Sequence, residues 1–120
     1  MGGNQLLIRT KEFAKQIILF CRQLPVNREG RLIGDQLFRC GTSVAANYRA
    51  ACRGRSQADF IAKMGIVEEE ADETLFWLEI LFELGIMKGL LIVKLMGESN
   101  EILAMVVASI KTARKSRYSR

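Results

Sequence analysis

The apolar positions of this chain recur at helical spacing almost from end to end. Between residues 8 and 24, Phe13, Ile17, Phe20 and Leu24 follow at intervals of four, three and four, the stripe an amphipathic helix turns toward a core. Pro25 stops that helix, because proline offers no N–H and clashes with the preceding turn. Asn27 then serves as N-cap for a second helix over residues 28–53, with Ile33, Leu37, Cys40, Val44, Asn47 and Ala51 along one stripe. Gly34 and Gly41 lie inside it. Mid-helix glycine costs about 1 kcal/mol against alanine, so these two, with Ala45, Ala46, Ala50 and Ala51, mark the close approach of a neighbouring helix.

Ser56-Gln57-Ala58-Asp59 reads as a capping box that opens a third helix over 57–84, closed by Gly85. Its expected core residues are Phe60, Met64, Val67, Ala71, Leu78 and Phe82, while Glu69, Asp72, Glu79 and Glu83 form a separate acidic stripe. A fourth helix starts near Lys88 or Gly89 and covers 89–116, with Gly97 as a place to bend. No bounded run alternates β-branched with polar residues, and no repeat of 20 to 50 residues is present. Four helices joined by short turns predict an all-α, antiparallel up-down four-helix bundle, one domain spanning residues 1–120.

Taken together, Ser43-Val44-Ala45-Ala46-Asn47 in mid-helix, Arg53-Gly54-Arg55-Ser56, Asp59-Phe60 and the Glu-rich third helix resemble the four-helix bundle family of 23S rRNA intervening-sequence proteins. Leu24-Pro25, Gln36-Leu37-Phe38-Arg39 and Leu84-Gly85 extend the likeness over nearly the whole chain. Tyr48-Arg49-Ala50-Ala51 follows Asn47 where many members carry an acidic residue and a glycine, so this stretch is more basic. The resemblance implies an antiparallel bundle, often a ring-shaped homopentamer, with a suspected role in nucleic-acid binding. The accessory variability proteins of diversity-generating retroelements look similar, and there a basic pentamer is thought to engage RNA and a reverse transcriptase.

Charge sharpens this picture. The net charge of +5 hides an asymmetry: residues 60–86 hold seven acids and one base, whereas the rest holds 17 bases and six acids. Arg28, Arg31, Arg39, Arg49 and Arg53 fall near one stripe of the second helix, joined by Arg55 in the turn, and a row of guanidiniums tracks phosphates well. A second cluster, Lys111, Arg114, Lys115, Arg117 and Arg120 with Tyr118, ends the chain. Cations there also suit a helix C-terminus, and the acidic third helix is a competing partner for the arginine stripe.

Reaction chemistry finds little support. The chain has no histidine, which removes the Glu-x-x-His di-iron motif of such bundles and the usual base for a serine or cysteine nucleophile. No phosphate-cradling glycine motif precedes a helix, and no cofactor is expected. Ser43 and Asn47, one turn apart, read as a structural polar pair of the core that fixes helix register.

Three cysteines, Cys21, Cys40 and Cys52, sit in helical patterns and suit free buried thiols in a reducing compartment. No signal-peptide layout is seen, and the longest uncharged, largely apolar run, Ile102 to Ile110, is far short of the roughly twenty residues of a membrane span. A cytoplasmic protein without a membrane partner is therefore expected. The same run, apolar on every side, together with Ile17-Ile18-Leu19-Phe20-Cys21, Trp77 and Ile80, predicts surplus hydrophobic surface and hence self-association.

The expectation is thus a non-enzymatic, self-associating bundle that binds nucleic acid, above all structured RNA, through Arg39, Arg49, Arg53 and Arg55, then Arg114, Lys115 and Arg117. The alternative is an interaction scaffold whose acidic third helix docks a basic partner, such as a nucleic-acid-processing protein.

Overall fold

The computed structural model describes residues 2–118, with side chains over 5–116, and contains four helices and no strand among them: α1 Gly2–Cys21, α2 Arg28–Cys52, α3 Gln57–Glu83 and α4 Leu90–Tyr118. Each helix packs only against its neighbours in the cyclic order α1, α2, α3, α4, and the α1–α4 seam is the thinnest. The result is an antiparallel bundle, a rod of 53 × 21 × 20 Å.

The helix ends follow from local chemistry. Asn27 caps α2 by accepting the Gly30 N–H at 2.8 Å. Ser56 Oγ accepts the Asp59 N–H at 3.1 Å, and the Asp59 carboxylate reaches back to the Arg55 N–H, one residue beyond the usual return bond. Gly85 adopts φ +68°, which lets its own N–H return to Phe82 C=O and the Ile86 N–H to Leu81 C=O, a Schellman closure of α3.

Phe13, Ile17, Phe20 and Leu24 are all buried, as their spacing requires. The helix nevertheless begins well before residue 8, because Leu6 and not Ile8 is in phase with Phe13; Leu6 is buried and Ile8 is 66% exposed. The close approach marked by the α2 glycines is with α1 and the turn after it: a Cβ on Gly41 would lie 2.9 Å from Ile17 Cγ2 of α1, and one on Gly34 3.1 Å from Leu24 Cδ1 of the α1–α2 turn.

Three expectations are corrected. Phe82 is 42% exposed, and the α3 core stripe runs Met64, Val67, Ala71, Thr74, Leu78, Leu81 at strict three–four spacing. Helical periodicity allows either the third or the fourth residue after Leu78, and packing selected Leu81. The run Ile102 to Ile110 is less open than its composition suggests: Ile102, Val106 and Ile110 are buried, Leu103, Met105 and Val107 are half-buried, and Ala104 and Ala108 are exposed. Large exposed side chains gather instead around the other end of the rod, at Leu84, Leu90 and Val93. Of the cysteines, Cys40 is buried, Cys21 half-buried and Cys52 exposed.

Candidate nucleic-acid interface

Antiparallel packing brings two distant basic segments to one end of the rod. The end of α2 and the α2–α3 turn carry Arg49, Arg53 and Arg55; the last turns of α4 carry Lys111, Arg114 and Lys115, all exposed. Gln57 Nε2 at the start of α3 donates to Ala113 C=O at 2.9 Å and ties the two segments together. Residues 46–63 and 108–116 make up most of this end, with seven bases against a single acid, Asp59, while Arg9 of α1 is bonded to Glu98 and Glu101 of α4. The Asp59 carboxylate accepts from Lys63 at 3.1 Å, which holds its pKa below the usual range. Cations at the C-termini of α2 and α4 also complement those helix dipoles, so the charge concentration is sustained locally.

From this end a groove of about 440 Å³ runs between α1 and α2, edged by Lys11, Arg49 and Arg53 over Leu7, Ala45 and Ala46. Short side chains on α2 keep it open. Thr42, also in its wall, turns its hydroxyl to Phe38 C=O of its own helix at 2.7 Å. Lys11, Arg49, Arg53 and Arg114 make no ion pair among the described residues.

The arginine stripe expected on α2 splits. Arg49 and Arg53 lean to the α1 side, whereas Arg39 leans to α3, where it donates to Glu70 at 3.1 Å and to Glu73. Those hydrogen bonds raise the Arg39 pKa, and that from Arg39 leads in lowering the pKa of Glu73. Its partners are not the acids of the expected stripe: Glu69, Asp72 and Glu83 are exposed elsewhere on α3, and Glu79 is half-buried. The Arg117 side chain lies outside the described residues, as does Arg120. Ser43 and Asn47 are half-buried, and Asn47 Nδ2 donates to Ser43 C=O at 2.9 Å, so the amide is spent within its own helix.

Sequence reasoning passed over Lys11. Its i+4 spacing from Leu7 places both on one side of α1, yet only the pairing of that side with Ala45 and Arg49 gives the lysine its setting. No three His, Cys, Asp or Glu side chains among the described residues cluster to hold a metal, and no helix is long and apolar enough to cross a membrane.

Comparison with known proteins adds an independent line. The family model described as 23S rRNA-intervening sequence protein matches residues 4–108. A crystal structure of a protein with unknown function from the S23 ribosomal protein family of Bacteroides thetaiotaomicron VPI-5482 is similar at 32% identity and a TM-score of 0.85, covering 92% of this chain and 99% of that one. No curated protein matches.

Proposed function

We propose that this chain, which belongs to the family of 23S rRNA-intervening sequence proteins, is a non-enzymatic, self-associating bundle of the cytoplasm that binds structured RNA at its basic end. The observation that carries the reading is the convergence of Arg53, Arg55, Arg114 and Lys115, from segments half the chain apart, at one end of the rod beside a single, already paired carboxylate. Guanidiniums and ammoniums set on a rigid scaffold neutralise phosphates and release counterions, which gives affinity without base readout. The family's name points to ribosomal RNA as the polyanion. Self-association repeats the site, and copies engaging one strand together bind far more tightly than one alone. Arg39 contributes least, because its guanidinium is held by two carboxylates.

The test is binding of labelled structured RNA and duplex DNA across a salt series, with the mass of the protein measured in the same buffer. Expected is affinity that falls linearly in log–log form with salt, and a loss of at least about 100-fold in an Arg53→Glu/Arg55→Glu/Arg114→Glu variant that keeps its helix content. Absence of binding even in dilute buffer overturns the reading and favours the scaffold alternative, in which exposed Glu69 and Asp72 help α3 dock a basic partner such as a nucleic-acid-processing protein.

A further inference from the structure

Grooves of similar volume follow three seams of the rod, and their charges set them apart. The one between α1 and α4, of about 520 Å³, holds Arg9, but that guanidinium is already bonded to Glu98 and Glu101. The one between α3 and α4, of about 490 Å³, is walled by Glu68, Glu69 and Asp72, which repel phosphate. The α1–α2 groove is edged by Lys11, Arg49 and Arg53, and these make no ion pair among the described residues. Arg53 also belongs to the basic end, so the groove continues that surface along the flank.

The floor of this groove does not suit phosphate. Leu7, Ala45 and Ala46 offer no side-chain hydrogen bond, and the Thr42 hydroxyl has given its hydrogen to Phe38 C=O. A sugar–phosphate backbone lying along the rim would satisfy the cations and leave these side chains wet. A nucleobase supplies the missing surface, since its two faces are apolar and displace water from an aliphatic floor, and the planar Arg49 guanidinium can stack on it. One nucleotide thus matches both parts of the groove, its base the floor and its phosphates the rim. The volume of about 440 Å³ falls within the roughly 300–1,000 Å³ of small-ligand sites.

We infer that the α1–α2 groove takes the base of an unpaired nucleotide, displaced from a bulge or loop of the RNA held at the basic end, with Lys11, Arg49 and Arg53 on its phosphates. Paired bases stay stacked inside an A-form helix, so a duplex reaches the cations and not the floor. An unpaired base has no partner to give up, and turning it onto the floor costs little. Alanine at 46 leaves the space open, and a longer side chain there would fill it. The inference rests on the nucleic-acid reading and narrows its ligand from structured RNA in general to helices interrupted by unpaired nucleotides.

The experiment compares three labelled RNAs by fluorescence anisotropy at one salt concentration: a blunt, fully paired duplex, the same duplex with a single-nucleotide bulge, and that bulge made abasic, which keeps the phosphate and removes the base. Wild type should bind the bulged RNA about tenfold more tightly than the abasic one. Ala46→Leu fills the groove without changing charge and should abolish that preference, while its affinity for the paired duplex stays within about twofold of wild type. Lys11→Gln should weaken the bulged RNA by at least about threefold and the paired duplex by less than about twofold. Ala46 and Lys11 are exposed, so circular dichroism should show both variants folded. Equal wild-type affinity for bulged and abasic RNA, or a preference that survives in Ala46→Leu, would overturn the inference and leave binding at the basic end standing. Displacement of the bulged RNA by AMP at equal concentration would assign the groove to free nucleotides and overturn it too. Absence of binding to all three RNAs would overturn both proposals together.

Discussion

Arg39 and Glu73 are joined across the α2–α3 seam by a charge-assisted hydrogen bond, and Glu73 also accepts from Trp77 Nε1 at 3.1 Å. The carboxylate thus has two donors, and Trp77, stacked edge-on to Phe76 at 4.9 Å, is anchored through it. The guanidinium Arg39 would offer to phosphate is in use inside the molecule. Arg39→Gln should therefore lower the thermal midpoint at neutral pH while changing RNA affinity by less than about twofold, measured by differential scanning fluorimetry and a binding titration.

The same pair gives a pH dependence. Arg39 holds the folded-state pKa of Glu73 below its unfolded value, and Lys63 does the same for Asp59. Both contributions are present above the ordinary carboxylate range and are lost as pH falls through the depressed values, so the thermal midpoint should decline below about pH 4. In Arg39→Gln the decline should be shallower, because the largest cause holding Glu73 down is gone and the Trp77 hydrogen bond that remains is opposed by burial. An identical acid profile in the variant would remove Glu73 from the account.

Glycines at two helical positions should respond in opposite directions to alanine. A Cβ on Gly41 would meet Ile17 at 2.9 to 3.3 Å through three side-chain atoms, including its Cβ, so Gly41→Ala should destabilise by about 1–3 kcal/mol despite its better helix propensity. Gly97, in α4, has nothing within 4 Å of that position, and Gly97→Ala should stabilise by roughly 0.5–1 kcal/mol. Urea denaturation of the two variants checks both signs.

Ser99 offers a third stability test. Its hydroxyl is buried on the core face of α4 without a hydrogen-bond partner among the described residues. Replacing an unsatisfied buried hydroxyl by a methyl group removes its desolvation penalty, so Ser99→Ala should stabilise by about 1 kcal/mol in the same assay. A loss of stability would mean that the hydroxyl bonds something in the folded protein.

The thiols should separate by accessibility. Burial pushes the Cys21 thiol up to about 11 and raises that of Cys40 as well, whereas Cys52 is exposed at the end of α2. The thiolate is the reactive form, so iodoacetamide at neutral pH should label Cys52 first, with Cys21 and Cys40 labelled only after denaturation, as read by mass spectrometry of the intact and digested protein.

Much of the architecture was legible in the residues themselves. Helical periodicity, Pro25, the Asn27 and Ser56 caps and Gly85 set four helices and their turns, because these signals act within a few residues of where they lie. Short turns between long helices force antiparallel packing, so the bundle followed, whereas the meeting of the basic segments at 49–55 and 111–115 at one end emerged with the folded structure. What local signals left open was any question of which neighbour a side chain faces. Arg39 and Arg49 are ten residues apart on one helix with the same chemistry, yet one turns to the carboxylates of α3 and the other edges a groove against α1. Leu81 displaced Phe82 from the core, Leu6 joined the α1 stripe ahead of Phe13, and Lys11 joined Arg49, each through contacts between helices far apart in sequence. The sequence by itself determined the helices, their order and the charge they carry. Only the tertiary structure decided which charges cancel and which remain to meet a partner, because that depends on how each helix is rotated about its axis, and packing alone sets that rotation.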